Sequence, residues 1–124
     1  MLGTVFNMIP SGENWKTQIR KGYIELCVLL LIRAHTRIYG FDLIEKLSVS
    51  ELAVKEGTLY PLLSRMTTDG LLSANWEMEA VKGHPRKFYS LTRAGNRALD
   101  EMVGEFERMV RTFERLAQAE KGTK

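Results

Sequence analysis

The stretch that decides the fold is Glu56-Gly57-Thr58-Leu59-Tyr60-Pro61-Leu62-Leu63-Ser64-Arg65-Met66. At 3.6 residues per turn, its aliphatic residues fall on one side of a helix and its polar and aromatic residues on the other. We expect the inner side to hold Leu59, Leu62, Leu63 and Met66 and the outer side to hold Glu56, Tyr60, Ser64 and Arg65. Pro61 is compatible with this helix if the helix begins between Lys55 and Thr58. The N–H that proline lacks then belongs to about the first turn, so little hydrogen bonding is lost.

A basic turn follows this helix at Lys82-Gly83-His84-Pro85-Arg86-Lys87-Phe88-Tyr89. Before the turn, apolar and polar residues alternate from Leu72 to Met78, and alternation returns at Tyr89 and Leu91, which is the period of a strand. Asp69-Gly70 ends the helix, with Gly70 suited to a left-handed cap. A helix with a polar and aromatic face, followed by a basic β-hairpin, is typical of a winged helix-turn-helix that binds DNA.

Two further helices are predicted upstream. After Ser11-Gly12-Glu13-Asn14, residues 15 to about 37 carry a wide apolar stripe that indicates a helix buried on more than one side. Tyr39-Gly40 begins a shorter helix that ends near Ser48. We therefore predict a mainly α fold with a small β-hairpin (α+β), in which an N-terminal arm of residues 1–16 precedes a winged helix-turn-helix domain of residues 17–91.

A long last helix is predicted over residues 92–119, with Thr92 as its N-cap and residues 120–124 as a tail. Its apolar residues recur every seven positions, on a helix of about 42 Å. A domain of this size cannot cover such a helix, so we expect a second copy of the chain to do so. The residues expected at this dimer interface are Ile19, Leu99, Met102, Val103, Phe106, Met109, Val110, Phe113 and Leu116.

Composition restricts the function. The chain has 124 residues, 44% of them hydrophobic, which suits one domain with its own core. Its net charge of +3 permits a polyanionic partner without requiring one. The longest apolar run, Leu26–Ile32, is far below the roughly 20 residues of a membrane span, so we expect a cytoplasmic protein with no membrane contact.

The sequence offers little for catalysis or metal binding. It contains two histidines, His35 and His84, no Gly-rich phosphate loop and no pair of histidines at metal-binding spacing. His35 falls near the end of the first long helix, where contact with terminal carbonyls explains it. The single cysteine, Cys27, lies among aliphatic residues and is interpreted as a small buried hydrophobe. We predict no enzyme activity, no cofactor and no metal.

Several blocks together resemble the PadR family of bacterial winged-helix transcriptional regulators. They are Tyr39-Gly40, Glu56 to Leu63, Asp69-Gly70-Leu71-Leu72, Trp76, Gly83 to Tyr89 and Leu91-Thr92-Arg93-Ala94-Gly95, within residues 17 to 119. The resemblance implies a homodimer that binds a pseudo-palindromic double-stranded DNA operator, usually as a repressor, and leaves it when a small molecule binds. The wing, which is the hairpin around the basic turn Lys82 to Lys87, departs from the family pattern. The family usually has paired glycines at the start of the wing, whereas here Gly83 is followed by His84. The N-terminal arm is also longer than in minimal members.

In this interpretation the DNA-binding residues are Tyr39, Lys55, Glu56, Thr58, Tyr60, Ser64, Arg65, Lys82, Gly83, His84, Arg86 and Lys87. Tyr39 either reaches a phosphate or forms part of the core. Arg65 either binds a guanine or pairs with Asp69 one turn on. Glu56 is better placed to cap its helix than to contact a base.

A small-molecule site is expected where the last helices of two chains meet the first helices. Its residues are Trp15, Tyr23, Met102, Phe106 and Met109, whose flat rings and pliant side chains suit a planar apolar ligand. Alternatively, the same residues only fill the core of the dimer. A winged-helix module that binds another protein instead of DNA is the remaining alternative from a different functional class.

Overall fold

The structure is a computed structural model and describes residues 12–78 and 85–122. Within these ranges the chain forms four helices and three strands. They are α1 Gly12–Ala34, β1 Ile38–Tyr39, α2 Gly40–Ser48, α3 Glu56–Thr68, β2 Leu72–Met78, β3 Pro85–Leu91 and α4 Arg93–Gly122. The predicted fold class, a winged helix-turn-helix followed by a long helix, is confirmed.

The core lies where the apolar faces of all four helices meet the sheet. Its fully buried side chains include Leu29, Ile32, Leu43, Leu59, Leu63 and Leu99. Burying an aliphatic side chain of this size stabilises the fold by about 1.5–3 kcal/mol before entropy is considered. Helices α1, α2 and α3 and the start of α4 are therefore held as one packed unit.

The sheet has three antiparallel strands in the order β1-β3-β2. Ala74 of β2 and Ile38 of β1 both pair with Tyr89 of β3. The hairpin was predicted from its alternation, whereas β1 was missed, because two residues are too few to show a period. The outer half of β2 leaves the core, so its Trp76 and Met78 are each 66% exposed.

α1 differs from its predicted bounds. It begins at Gly12, so residues 12–16 of the predicted arm are helical, and residues 1–11 lie outside the described part of the chain. It ends at Ala34 rather than near Arg37, because Thr36 adopts a left-handed backbone with φ of 63°. His35 Nδ1 lies 2.9 Å from the carbonyl oxygen of Leu31, which agrees with its predicted contact with a terminal carbonyl.

α3 follows the prediction closely. It begins at Glu56 with Lys55 at the N-cap position, and it contains Pro61 within its second turn. It ends with Asp69 as the C-cap and Gly70 at φ of 83°, the left-handed conformation predicted for this glycine. Glu56 lies in the first turn, where its charge is favourable to the helix dipole.

The start of α4 is fixed to the segment after α3. The N–H of Gly95 donates to Thr92 Oγ1 at 2.9 Å, which confirms Thr92 as the N-cap, and Thr92 Oγ1 donates to the carbonyl of Gly70 at 2.6 Å. The helix continues to Gly122, past the predicted end at Ala119. Leu99, which was predicted at a dimer interface, is fully buried in the core of the single chain and so presents no surface to a partner.

Candidate nucleic-acid interface

One side of α3 is turned to solvent. Leu59, Leu63 and Met66 are buried and Leu62 is half-buried, as the sequence predicted for the inner side. The N-cap and the outer side present the exposed residues Lys55, Glu56, Thr58, Tyr60, Ser64 and Arg65. Within residues 12–78 and 85–122, no apolar element covers this side of α3, so these exposed side chains can contact a large ligand such as duplex DNA.

A cleft of about 430 Å³, here called the wing cleft, lies between α3, the start of α2 and the base of the hairpin. It gathers residues that are far apart in sequence. Those used below are Tyr39, Tyr60, Ser64, Trp76, Arg86 and Lys87. The structure thus places five residues predicted to bind DNA around one concave surface, together with Trp76.

A hydrogen-bond network links the start of α2 to the wing. The Tyr39 hydroxyl donates to one carboxylate oxygen of Glu77, and Arg37 Nη2 donates to the other at 2.9 Å. Arg37 also donates to the Tyr39 hydroxyl at 3.2 Å. The hydroxyl of Tyr39 and the guanidinium of Arg37 hold the pKa of the Glu77 carboxyl below its usual value. The Tyr39 hydroxyl is therefore engaged within the chain, where it helps to position the wing.

Sequence reasoning missed Arg37 and Glu77. Their partners lie about 40 residues away in the chain, so no local pattern marks the pairing. The one available signal was the position of Arg37, a cation two residues before the Tyr39-Gly40 block.

Aromatic rings support the cations of the wing. The guanidinium carbon of Arg86 lies 3.8 Å from the centre of the Tyr39 ring, and Arg86 Nη2 lies 4.0 Å from Asp42 Oδ2. Lys87 Nζ lies 5.3 Å from the Trp76 ring. Cation–π contacts at such distances restrict the side chains while the charges remain accessible. Lys82, Gly83 and His84, also predicted to bind DNA, lie outside the described residues.

Arg65 is paired within the chain. Its guanidinium lies 2.8 Å from the Glu25 carboxylate on α1 and 3.8 Å from the carboxylate of Asp69, the C-cap residue of α3. Of the two sequence-based alternatives, the structure contains the pairing with Asp69, and it adds Glu25 as the closer partner. A contact between Arg65 and a guanine would require the guanidinium to leave these carboxylates.

A second feature is an apolar groove of about 700 Å³ between α1 and α4, here called the α1–α4 groove. It is lined by all five residues predicted for a ligand site: Trp15, Tyr23, Met102, Phe106 and Met109. The rings of Tyr23 and Phe106 lie 5.5 Å apart with an interplanar angle of 32°. Phe106 packs against the core of the chain, whereas Trp15 and Met109 are more than half exposed. A single chain already brings these residues together.

Other kinds of site have little support in the described residues. Burial raises the pKa of the half-buried Cys27 thiol, which favours the unreactive protonated form. Across residues 12–78 and 85–122, no three side chains of the metal-binding types come together in a possible ion site. No helix in the same ranges combines the length and hydropathy needed to span a bilayer.

Comparison with known proteins gives a consistent result. The transcriptional regulator PadR-like family matches residues 28–101. The chain is 38% identical over 78 residues to the transcriptional regulator Rv3488 of Mycobacterium tuberculosis, a match that covers 63% of this chain and 71% of that protein.

Two solved structures are also similar. A PadR-like transcription factor from Bacteroides fragilis is 42% identical, with a TM-score of 0.70, over 83% of this chain and 98% of the other. A PadR-like transcriptional regulator from Bacillus cereus is 32% identical, with a TM-score of 0.72, over 82% and 97%.

Proposed function

The chain belongs to the PadR-like family of transcriptional regulators, and from this premise we propose that it binds a pseudo-palindromic operator as a homodimer. We propose further that it acts as a repressor and leaves the operator when a small planar aromatic molecule binds. One observation carries the DNA-binding part: the exposed side of α3 lies beside a cleft whose cations, Arg86 and Lys87, come from the wing. Such a helix can enter a major groove while the wing contacts the neighbouring backbone.

The homodimer is supported by apolar surface on the second half of α4. Val110, Met109, Leu116 and Phe113 are 38, 55, 63 and 69% exposed, and Ile19 on α1 is 53% exposed. Contiguous apolar surface of this kind is typical of a protein interface. Because Met109, Val110 and Phe113 also line the α1–α4 groove, a partner helix would close that groove.

A gel shift with duplex DNA from the region upstream of the gene tests the proposal directly. Preferential binding over a scrambled duplex of equal length supports a specific regulator. Equal affinity for both duplexes would favour the alternative, a winged-helix module that binds another protein. Titrating protein against a fixed amount of operator gives the stoichiometry, which is two chains per site for the proposed dimer.

The wing should contribute to binding through phosphate contacts. Replacing Arg86 and Lys87 together by Ala should reduce the salt dependence of operator affinity by roughly one unit of log-log slope per lost phosphate contact. Affinity measured between low and moderate salt gives this slope. The control is the replacement of Arg111 and Arg115, two exposed cations of α4, by Ala. An unchanged slope in the wing variant would remove Arg86 and Lys87 from the interface.

The two tryptophans can report on the two proposed ligands separately. Trp15 lines the α1–α4 groove, whereas Trp76 lines the wing cleft. In a Trp76→Phe variant, a planar aromatic ligand should change the emission of Trp15. In a Trp15→Phe variant, operator DNA should change the emission of Trp76. A library of planar aromatics that alters neither Trp15 emission nor operator affinity would indicate that the groove is only part of a dimer core.

Release of DNA requires that the ligand distinguish two arrangements of the dimer. A ligand with equal affinity for both arrangements does not shift the equilibrium between them, however tightly it binds. The α1–α4 groove is suited to this role, since α1 is part of the proposed DNA-binding domain and α4 carries the proposed interface. A ligand that changes the angle between α1 and α4 would thereby change the spacing of the two α3 helices.

A further inference from the structure

A third surface lies on the side of α3 that faces α1. It is a cleft of about 630 Å³, here called the basic cleft, and its charged lining residues are Arg20, Lys21, Glu25, Lys55 and Arg65. Four cationic side chains thus surround one carboxylate. The local excess of +3 equals the net charge of the whole chain, so the remaining formal charges cancel. The lining of this cleft therefore carries an excess of positive charge.

The basic cleft and the wing cleft meet α3 on different sides. Tyr60 and Ser64, one turn apart, line the wing cleft. Thr58, Leu62 and Arg65 form the neighbouring row of the helix and line the basic cleft. The exposed surface of α3 is therefore bordered by cationic side chains on both sides.

This arrangement matches the surroundings of a helix in a DNA groove. A major groove is about 12 Å wide, and each of its two edges is a row of phosphates. A helix that lies in the groove has one phosphate row on each side, and Arg86 and Lys87 of the wing border only one side of α3. We propose that the basic cleft binds the phosphates of the opposite row, with Lys21 and Lys55 making the contacts. This inference rests on the proposed function, because it requires that α3 enters the groove.

The contacts within the basic cleft separate its residues by role. Arg20 Nη2 donates to the carbonyl of Leu52 at 2.6 Å, so Arg20 holds the turn between α2 and α3 and is a positioning residue. Arg65 is held by Glu25 at 2.8 Å. Lys21 and Lys55 are exposed, and neither forms an ion pair with a carboxylate in the described residues. Their charges are therefore available to a phosphate.

The test is a double Lys21→Gln and Lys55→Gln variant of the full chain. Affinity for operator and for unrelated duplex should fall by a similar factor, because phosphate contacts carry no sequence information. The log-log salt slope should decrease by roughly two units. The matched control is Arg115→Gln with Lys121→Gln, which removes the same charge from the far end of α4 and should leave the slope near that of the unaltered protein.

Glu25→Gln provides a second test in the opposite direction. It removes the closer carboxylate partner of Arg65 and makes the cleft more positive. Binding should tighten and the salt slope should increase by roughly one unit, which a damaged fold could not produce. A double lysine variant with the slope of the control would overturn the inference. An unaltered protein with no preference for its operator would instead count against the proposed function.

Discussion

Phe113→Asp should convert the protein from dimer to monomer and weaken operator binding by roughly 100-fold or more. In the proposed dimer, each subunit would bury a carboxylate in an apolar seam without a partner, at a cost of several kcal/mol. Each 1.4 kcal/mol corresponds to a tenfold change in an equilibrium constant. Phe113 is 69% exposed in the single chain, so the substitution should leave the subunit folded. Sedimentation velocity gives the oligomeric state, and a gel shift gives the affinity.

Phe113 is preferable to other positions of the α4 stripe. Phe106 packs against Tyr23 and the core of its own subunit, and Leu99 is fully buried there, so an aspartate at either position would also damage the monomer. Gln118→Asp is the matched control, because it adds the same charge on the exposed polar side of α4. A Phe113→Asp protein that still sediments as a dimer would place the interface elsewhere on the chain.

Gly95→Ala should destabilise the fold by about 3–5 kcal/mol, or prevent folding. A Cβ atom at this position would lie 2.0 Å from the carbonyl oxygen of Leu71 and 3.0 Å from Leu91 Cδ2. The obstacle at Leu71 is backbone, and its carbonyl also accepts the N–H of Thr92 at 3.0 Å. To avoid this clash, α4 would therefore have to move away from the segment after α3. Denaturant unfolding followed by circular dichroism measures the loss.

Gly104→Ala is the control on the same helix. Among the described residues, a Cβ atom there would come within 4 Å of Arg108 Nη1 alone, at 3.6 Å, so the space is sufficient. Alanine is favoured over glycine in a helix interior, and we expect stabilisation of about 0.5–1 kcal/mol. If the Gly95→Ala variant unfolds at the same denaturant concentration as the unaltered chain, α4 does not approach the Leu71 carbonyl as closely as the structure shows.

The sequence predicted those parts of the fold that depend on nearby residues. The side of α3 that would be buried, the left-handed Gly70 and the N-cap at Thr92 were predicted from local spacing and backbone chemistry, and all three are confirmed. The ends of α1 and α4 were less accurate, because polar residues near a helix end fit a helix or a coil equally well. The residues proposed to bind DNA and the dimer partner stay predictions.

What the sequence by itself determined is which side of each element is apolar, because helix and strand periodicity assign side chains to faces without reference to the rest of the chain. Only the tertiary structure decided which of these faces meet. In the tertiary structure Leu99 is buried in the core, and the Tyr39 hydroxyl donates to Glu77. Arg65 forms an ion pair with Glu25, and Gly95 packs against the backbone of Leu71. Each of these contacts joins segments that are at least twenty residues apart or depends on how two elements pack. Such contacts follow from the joint packing of the whole core, and no local window of sequence contains that information.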